Sequence, residues 1–393
     1  MMSGALFLGW RYLAHHRFKS SILVASITLM VFLPSATRLL VEDSATALTA
    51  RADQTPLILG ARGSELELVL NTLYFHAESP AEVENRVFLE AQATGLADFI
   101  PVHARFHAQG ASIVGTSLDY FDFRGLDIAD GRQMGLLGEC VIGARVAARL
   151  GLAPGDSIIS SPETVFDIAG VYPLKMTIVG VLEPRGTADD EAVFVDVRTS
   201  WIIQGLGHGH TDLADPEAGA AVLSRSGDSI TANASLTQYA EITPQNISAF
   251  HFHGSDESFP LSGIIAVPPD QKNGTLLLGR YQDNELLQLV APGSVLDDLL
   301  ATVFAVQNYV ILGLAILSLA TVAVITLVFL LSQQLRKGEF RTLIRIGASR
   351  SYVSMLIASE LVFVFVISVL LAAGLTLIVR FYAMQILQTF LTL

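Results

Sequence analysis

The stretch that decides the fold is "YVILGLAILSLATVAVITLVFLL", residues 309–331, which contains no charged side chain. A helix rises about 1.5 Å per residue, so a segment of this length spans the roughly 30 Å hydrocarbon core of a bilayer. Residues 305–332 are therefore predicted to form a transmembrane helix, and residues 21–41 and 353–380 qualify by the same criterion. With 51% hydrophobic and only 16% charged residues, the chain has the composition of a membrane protein.

The first predicted span is the least regular, because it contains Pro34 and ends near Arg38. A cleaved signal peptide is the alternative, but the basic lead and the apolar run are both longer than in a usual signal peptide. We therefore expect an uncleaved anchor. Residues 1–20 place Leu6, Trp10 and Leu13 on one side, a pattern typical of an amphipathic helix at the membrane interface.

Basic residues orient the predicted spans. Lys and Arg next to a span resist translocation, so the side on which they concentrate is cytoplasmic. They lie in the N-terminal lead and in the loop of residues 333–352: Arg11, Arg17, Lys19, Arg336, Lys337, Arg341, Arg345 and Arg350. The N-terminus and this loop are therefore predicted to be cytoplasmic, and residues 42–304 to lie outside.

The predicted outer segment carries the excess acidity of the chain. Residues 42–300 hold 35 of the 37 acidic and 14 of the 24 basic residues, a net charge of −21, against −13 for the whole chain. This charge argues against a nucleic-acid partner and is compatible with attraction of cations, while a solvated surface is the commoner explanation of such acidity. Cys140 is the only cysteine, which excludes an internal disulfide.

The outer segment alternates strand-like and helical patterns. Strands are predicted in "ASIVGTSLDYFDF", "LKMTIVGVLEP" and "EAVFVDVRT", and "CVIGARVAARLGL" predicts a strand followed by a helix that stops near Gly151. Residues 204–236 predict an irregular excursion, and residues 287–305 predict a helix that leads into the second span. The predicted fold class is a bundle of three transmembrane helices with a large α/β (α+β) extracytoplasmic domain inserted between spans 1 and 2.

A short basic loop, "QLRKGEFRTLIRIGASR", residues 334–350, joins the second and third spans. Its Glu339, Leu343 and final Gly-Ala-Ser match a loop pattern, E-I-G-x-L-R-A-x-G-A-S. Arg341 replaces the Gly of this pattern, and Arg345 falls one place later than its Arg. In sequence and position this loop resembles that of the MacB/FtsX-like permeases of ABC transporters, the mechanotransmission class.

The outer segment shows a second resemblance. The stretches "ASIVGTSLDYFDFRGLDIADGRQM", "ECVIGARVAARLGLAPGDSI" and "MTIVGVLEP" are similar to the periplasmic core domain of MacB-type permeases, and "LILGARGSELELVLNTLYF" is similar to the lipoprotein-releasing branch. This resemblance implies the bacterial inner membrane, with the large domain periplasmic. The family has four spans, whereas only 14 residues follow Val379, too few for another crossing. The short tail of residues 381–393 is therefore expected outside.

The resemblance also implies a permease driven by a separate ATPase. A phosphate-binding loop requires G-x-x-x-x-G-K-[ST], and the only lysine followed by Ser or Thr is Lys19, which Phe18 precedes. The chain is therefore not expected to be an enzyme, and ATP and Mg²⁺ are expected on a cytoplasmic ABC ATPase dimer. Further expected partners are a second permease copy or a paralogue, membrane lipid, and a periplasmic or membrane-fusion protein.

Two functions stay open at this point. A transport subunit would couple ATP hydrolysis to a change of the periplasmic domain and export or extract a lipoprotein, lipid, peptide or small toxic molecule. An FtsX-like regulator would instead activate a periplasmic enzyme without moving cargo, and a receptor with no ATPase is a third class. The large outer domain favours transport.

The basic loop is the predicted contact with the ATPase, because the segment between Gly338 and Gly347 has an apolar side suited to docking. The predicted coupling residues are Glu339, Leu343, Ile346, Gly347, Ala348 and Ser349. The alternative is a loop that only sets topology and contacts anionic lipid, which accounts for the charge but not for the pattern. Glu360, an acid inside the third span, is predicted to make a structural hydrogen bond, with a role in transmission as the alternative.

Two histidine pairs form a second candidate site. "GLGHGH" contains His208 and His210, and "FHFHG" contains His251 and His253. Alternate residues of a strand share one face, so two such pairs could supply the four ligands of a tetrahedral zinc site. The first pair is expected in a Gly-rich loop without a fixed face, and two surface or polar-cluster histidine pairs are the alternative.

Overall fold

The computed structural model describes residues 2–76, 80–161, 173–210, 222–226, 229–232 and 239–390. The described residues form two compact units. We call residues 48–297 the sheet domain, and residues 2–47 with 298–390 the helical unit. Three helices, Arg17–Asp53, Pro292–Leu335 and Arg350–Tyr382, are long and apolar enough to cross a membrane.

The helices have the following bounds in the described part of the chain: α1 (Met2–His15), α2 (Arg17–Asp53), α3 (Glu65–Tyr74), α4 (Asn85–Gln92), α5 (Asp119–Arg124), α6 (Ala144–Leu150), α7 (Val197–Ile203), α8 (Gln271–Tyr281), α9 (Pro292–Leu335), α10 (Lys337–Arg345) and α11 (Arg350–Phe390). The strands are β1 (Leu57–Ala61), β2 (Val83–Glu84), β3 (Asp98–Ala108), β4 (Ala111–Thr116), β5 (Ile128–Gly131), β6 (Glu139–Ile142), β7 (Ser157–Ile159), β8 (Lys175–Leu182), β9 (Ala192–Asp196), β10 (Gly207–Gly209), β11 (Val222–Ser226), β12 (Ser229–Ala232), β13 (Phe250–Phe252), β14 (Pro260–Leu261), β15 (Gly263–Val267) and β16 (Leu287–Val290).

A mixed sheet of ten strands organises the sheet domain, in the order β16-β1-β15-β3-β4-β9-β6-β8-β5, with β7 also paired to β8. The pairs β4–β9 and β6–β8 are parallel, and the other pairs of this sheet are antiparallel. Helices pack beside the strands, which makes the domain α/β, as predicted.

The strands form where the sequence patterns predict them. In β8 the side chains alternate between buried and half-buried along the whole strand, as expected when one face of a sheet is covered. Strand β6 is buried on both faces and leads directly into α6, which ends at Gly151 with a φ of +67°. Glycine favours this left-handed conformation at a helix end, so the predicted strand, helix and stop are confirmed.

The helix predicted over residues 287–305 is wrong in its first part. Leu287–Val290 form the edge strand β16, which pairs with β1, and α9 begins only at Pro292. The physical reason is local: proline is favoured in the first turn of a helix, where its missing N–H needs no partner.

At the other end of the chain, α11 continues through Phe390, so the residues expected as a tail from 381 onward begin as helix. Residues 391–393 lie outside the described part.

A buried ion pair fixes the end of α2 within the sheet domain. The Arg51 guanidinium donates to both carboxylate oxygens of Asp189, and the Tyr120 hydroxyl donates to the same carboxylate at 2.8 Å. Burial alone would raise the pKa of the Asp189 carboxyl, but the Arg51 charge and the hydrogen bonds hold this pKa below its ordinary value. The carboxylate is therefore ionised at neutral pH.

Candidate functional site

Helix α10 is short, amphipathic and open to solvent, with no fully buried side chain. Phe340, Leu343 and Ile344 lie on one side of the helix, while Thr342 lies on the opposite side. Phe340 and Leu343 are half-buried, Ile344 is exposed, and Ile346, just beyond the helix, is 75% exposed. Glu339 is also exposed. The side chains that can reach a partner protein are therefore Ile344 and Ile346 more than the predicted Leu343.

The Gly-Ala-Ser sequence after α10 builds the turn into α11. Gly347 has a φ of +106°, and the N–H of Ala348 donates to the carbonyl oxygen of Leu343 at 3.0 Å, the pattern of a glycine-terminated helix end. Ser349 then caps the next helix, because its Oγ accepts from the N–H of Tyr352 at 3.2 Å. The predicted coupling residues 347–349 thus fix the angle at which α10 leaves and α11 begins.

Glu360 makes a buried ion pair with Arg336, which sequence reasoning did not identify. Nη1 of Arg336 lies 2.8 Å from both carboxylate oxygens of Glu360, and each side chain is less than 10% exposed. Arg336 occupies the joint between α9 and α10, so the pair connects this joint to α11. The sequence contained one indication of this ion pair. Glu360 is an acid in an apolar helix and needs a partner, and Arg336 is the first basic residue after the preceding span.

Aromatic rings of two other helices cover the Arg336 guanidinium. Its central carbon lies 3.6 Å from the ring centre of Tyr12 in α1 and 4.9 Å from that of Phe340 in α10. Cation–π contacts of this kind strengthen when water is excluded. We call Tyr12, Arg336, Phe340 and Glu360 the Arg336 cluster. It joins α1, the α9–α10 joint, α10 and α11.

The four candidate zinc ligands come together on a separate two-stranded sheet of the sheet domain. Strand β10 pairs with β13 in antiparallel register, with His208 directly opposite His251. Side chains directly opposite each other share a face, and so do residues two apart along a strand. His210 and His253 therefore lie on the same face as the first two.

The histidine rings are close enough to share one ligand. The ring centre of His208 lies 5.0 Å from that of His251 and 4.7 Å from that of His253, and the centres of His210 and His251 are 5.0 Å apart. Ring nitrogens of His208, His210 and His251 all lie within 4.8 Å of one another. We call these four residues the histidine cluster.

The opposite face of this small sheet explains the glycines of "GLGHGH". Gly207 pairs with Phe252 and Gly209 pairs with Phe250, so each glycine shares a face with a phenylalanine. A Cβ on Gly209 would lie 2.5 Å from the Phe250 ring, and one on Gly207 would lie 2.7 Å from the Phe252 ring. The expectation of a loop without a fixed face is therefore wrong, because the glycines make room for the rings. The rest of the predicted excursion is β11, β12 and residues outside the described part.

The surroundings of His208 favour its neutral ring. Burial, and after it the neighbouring imidazoles of His253, His251 and His210, lower the pKa of His208 below its ordinary value. Nδ1 of His251 lies 3.2 Å from the carbonyl oxygen of Ala249, which can only accept, so this nitrogen carries the proton. Its Nε2 then has the lone pair that a metal ion requires.

The fold defines a class: a large α/β domain in one chain with three helices that are long and apolar enough to cross a membrane. The family model of the MacB-like periplasmic core domain matches residues 21–239, more than half of the chain. The chain belongs to this family, the MacB/FtsX-like permeases of ABC transporters.

Two solved structures are similar to this chain. The extracellular domain of the noncanonic ABC-type transporter YknZ from Gram-positive bacteria is 12% identical, with 60% of this chain and 98% of that chain covered and a TM-score of 0.33. The periplasmic region of MacB from Actinobacillus actinomycetemcomitans is 11% identical, with 62% and 92% covered and a TM-score of 0.33. No curated protein matches the sequence.

Proposed function

We propose that this chain is the permease subunit of an ATP-driven transporter, in which a separate cytoplasmic ABC ATPase hydrolyses ATP and pushes on α10. Family membership supports the general class, since permeases of this family work with ABC ATPases. The sequence has no G-x-x-x-x-G-K-[ST] loop, which is consistent with ATP binding on a partner. In our proposal α2, α9 and α11 cross the bacterial inner membrane, with the sheet domain between the first two on the periplasmic side.

The distribution of charge supports the proposed orientation. The N-terminal lead and the α10 region concentrate Lys and Arg, and by the positive-inside rule this favours the cytoplasmic side for both. On that side, α10 exposes apolar Ile344 and Ile346 next to Arg341 and Arg345. An apolar contact gives affinity, and the charges steer it toward an acidic groove.

The single observation that carries the proposal is the connection of α10 to the spans. At one end the Arg336–Glu360 pair connects the α9–α10 joint to α11, and at the other Gly347 and Ser349 form a short capped turn. A helix held at both ends transmits a displacement to the adjoining helices, whereas a flexible loop would absorb it. In the dimer expected for this class, two copies of α10, or one and that of a paralogue, would meet the two ATPase subunits.

In this mechanism closure of the ATPase displaces α10, and α9 and α11 move with it. Helix α9, whose first residues belong to the sheet domain, carries the displacement into that domain. The cargo is a lipoprotein, lipid, peptide or small toxic molecule that the sheet domain engages from the periplasm. Moving it requires no passage through the bundle of spans.

The proposal is tested by purifying the chain with its associated ATPase and measuring ATP hydrolysis in lipid vesicles. Ile344→Asp puts a charge on the exposed apolar side of α10 and should abolish the effect of the permease on the ATPase rate. Thr342→Asp adds the same charge to the opposite side of α10 and should leave it nearly unchanged. Gly347→Pro should also uncouple ATP hydrolysis from the permease. Proline cannot adopt a φ of +106°, and it has no N–H to donate to the carbonyl oxygen of Ile344.

Two results would contradict the proposal. One is the absence of any ATPase with a phosphate-binding loop from the purified complex. The other is wild-type coupling in both Ile344→Asp and Gly347→Pro, because α10 would then have no part in communication.

A further inference from the structure

We propose that the histidine cluster, His208, His210, His251 and His253, binds one Zn²⁺ ion at the surface of the sheet domain. The proposal is independent of the coupling role of α10, because the cluster lies wholly within the sheet domain. Four of the nine histidines of the chain share this one face.

The register of β10 and β13 brings the four histidine rings together. The register places His208 opposite His251, and the two-residue repeat of a strand brings His210 and His253 to the same side. On the other side, Phe250 and Phe252 pack over glycines 209 and 207 and are half-buried in the apolar core. A shift by one residue would turn the phenylalanines outward and the histidines inward, so packing of the rings holds the register.

The chemistry of the donors selects the metal. Imidazole nitrogens suit zinc, copper and nickel, whereas magnesium and calcium prefer carboxylate and carbonyl oxygens. In a tetrahedral site with Zn–N bonds of about 2.0–2.1 Å, the ligand nitrogens lie about 3.4 Å apart. Three of the present nitrogens are within 4.8 Å of one another, so rotation of the side chains about their χ angles can close the remaining gap.

Details around the rings fit metal binding better than a plain surface cluster. The bond from Nδ1 of His251 to a backbone carbonyl is the kind of second contact that orients metal-binding histidines. His251 and His253 are exposed, so an ion can enter from solution, and the net charge of −21 over residues 42–300 attracts cations.

The experiment uses the full chain, purified in detergent, stripped of metal and titrated with ZnCl₂ against a chromophoric chelator. We expect one Zn²⁺ per chain with micromolar or tighter affinity. The double variant His208→Ala/His251→Ala should bind at least about tenfold more weakly, since ligand loss costs no less than loss of a second-shell contact. The matched control is His107→Ala, which removes a histidine of β3 in the same domain and should bind as the wild type does.

A second measurement reports the geometry of the site. Replacing Zn²⁺ by Co²⁺ gives visible absorption bands that are intense for tetrahedral and weak for octahedral coordination. We expect the tetrahedral spectrum in the wild type and its loss in the double variant.

A variant that fails to fold does not end the test. The histidines lie on the face away from the phenylalanines, so thermal unfolding without metal should be close to that of the wild type. If the double variant unfolds early, His253→Ala replaces it, because this residue is exposed and lies just beyond β13. The proposal is overturned by no stoichiometric zinc binding at micromolar concentrations, by equal affinity in wild type and histidine variants, or by an octahedral cobalt spectrum.

Discussion

The Arg336–Glu360 pair gives the sharpest quantitative prediction. Both side chains are less than 10% exposed, and Glu360 accepts from Arg336 at 2.8 Å through both oxygens. Among the described residues two acids contact Arg336: Glu360 and the exposed Glu339, which lies 3.4 Å away, so Glu360→Leu removes the buried one. Leaving a buried charge without its partner typically costs about 3–5 kcal/mol of unfolding free energy. We therefore expect a loss in this range for Glu360→Leu and a similar loss for Arg336→Met.

The double variant Arg336→Met/Glu360→Leu separates the pair from other causes. Replacing a whole buried ion pair by apolar side chains is often neutral or stabilising by about 1–4 kcal/mol. The double variant should therefore be much more stable than either single variant, which gives a coupling energy of several kcal/mol in a double-mutant cycle. The assay is denaturant unfolding of the purified chain in detergent. Single variants as stable as the wild type, or losses that simply add in the double variant, would refute a buried and mutually dependent pair.

Three further predictions concern the sheet domain and α10. Asp189→Asn should destabilise the sheet domain at neutral pH, because it leaves Arg51 without its counter-charge. The folded-state pKa of Asp189 is lowered, so the ion pair contributes its full stability above the ordinary Asp pKa of about 4 and loses it as the pH falls through the folded-state pKa. In urea unfolding, the stabilities of wild type and variant should therefore converge in acid. Gly209→Ala should weaken zinc binding without removing a histidine, because its Cβ would lie 2.5 Å from the Phe250 ring. Overpacking of this kind typically costs about 1–3 kcal/mol of unfolding free energy, which thermal unfolding can measure. The control is Gly279→Ala, whose Cβ would lie in open space. Gly347→Ala should lower the stability of the α10–α11 turn by about 1 kcal/mol and should reduce ATPase coupling only in part, because alanine tolerates a positive φ poorly. Wild-type ATPase coupling together with unchanged stability would argue against a strained turn.

The sequence predicted the parts of the fold that depend on local patterns. Long apolar runs located the three long helices, and short runs rich in apolar and β-branched residues located β4, β8 and β9, because each pattern reflects burial of one element. The strand β16 was not predicted, because "LQLV" beside the start of a helix is equally compatible with a helix. Only its pairing with β1 makes it a strand. The short strand β10 was not predicted for a similar reason. Two glycines in four residues predict a loop, and the phenylalanine rings that pack over these glycines are more than 40 residues away in the sequence.

The candidate sites show the same limit. The sequence identified the histidines and Glu360 as unusual, since each residue type is costly or chemically specific in its setting. It did not show that Glu360 binds Arg336, that Tyr12 covers this pair, or that all four histidines share a face. These are tertiary facts: the two charges are separated by 24 residues, and the register of β10 and β13 depends on phenylalanine packing.

The central claim, that α10 carries the contact with an ATPase, is tested most directly by site-specific cross-linking. Cys140 is fully buried, and burial raises the pKa of its thiol, so a cysteine introduced at an exposed position is the one that reacts. A photoactivatable maleimide attached to Ile344→Cys should cross-link the chain to an ABC ATPase subunit in native membranes. The same reagent on Thr342→Cys, on the opposite side of the helix from Ile344, should give much less of that product. Equal products from both positions, or no ATPase product from Ile344→Cys, would contradict the account.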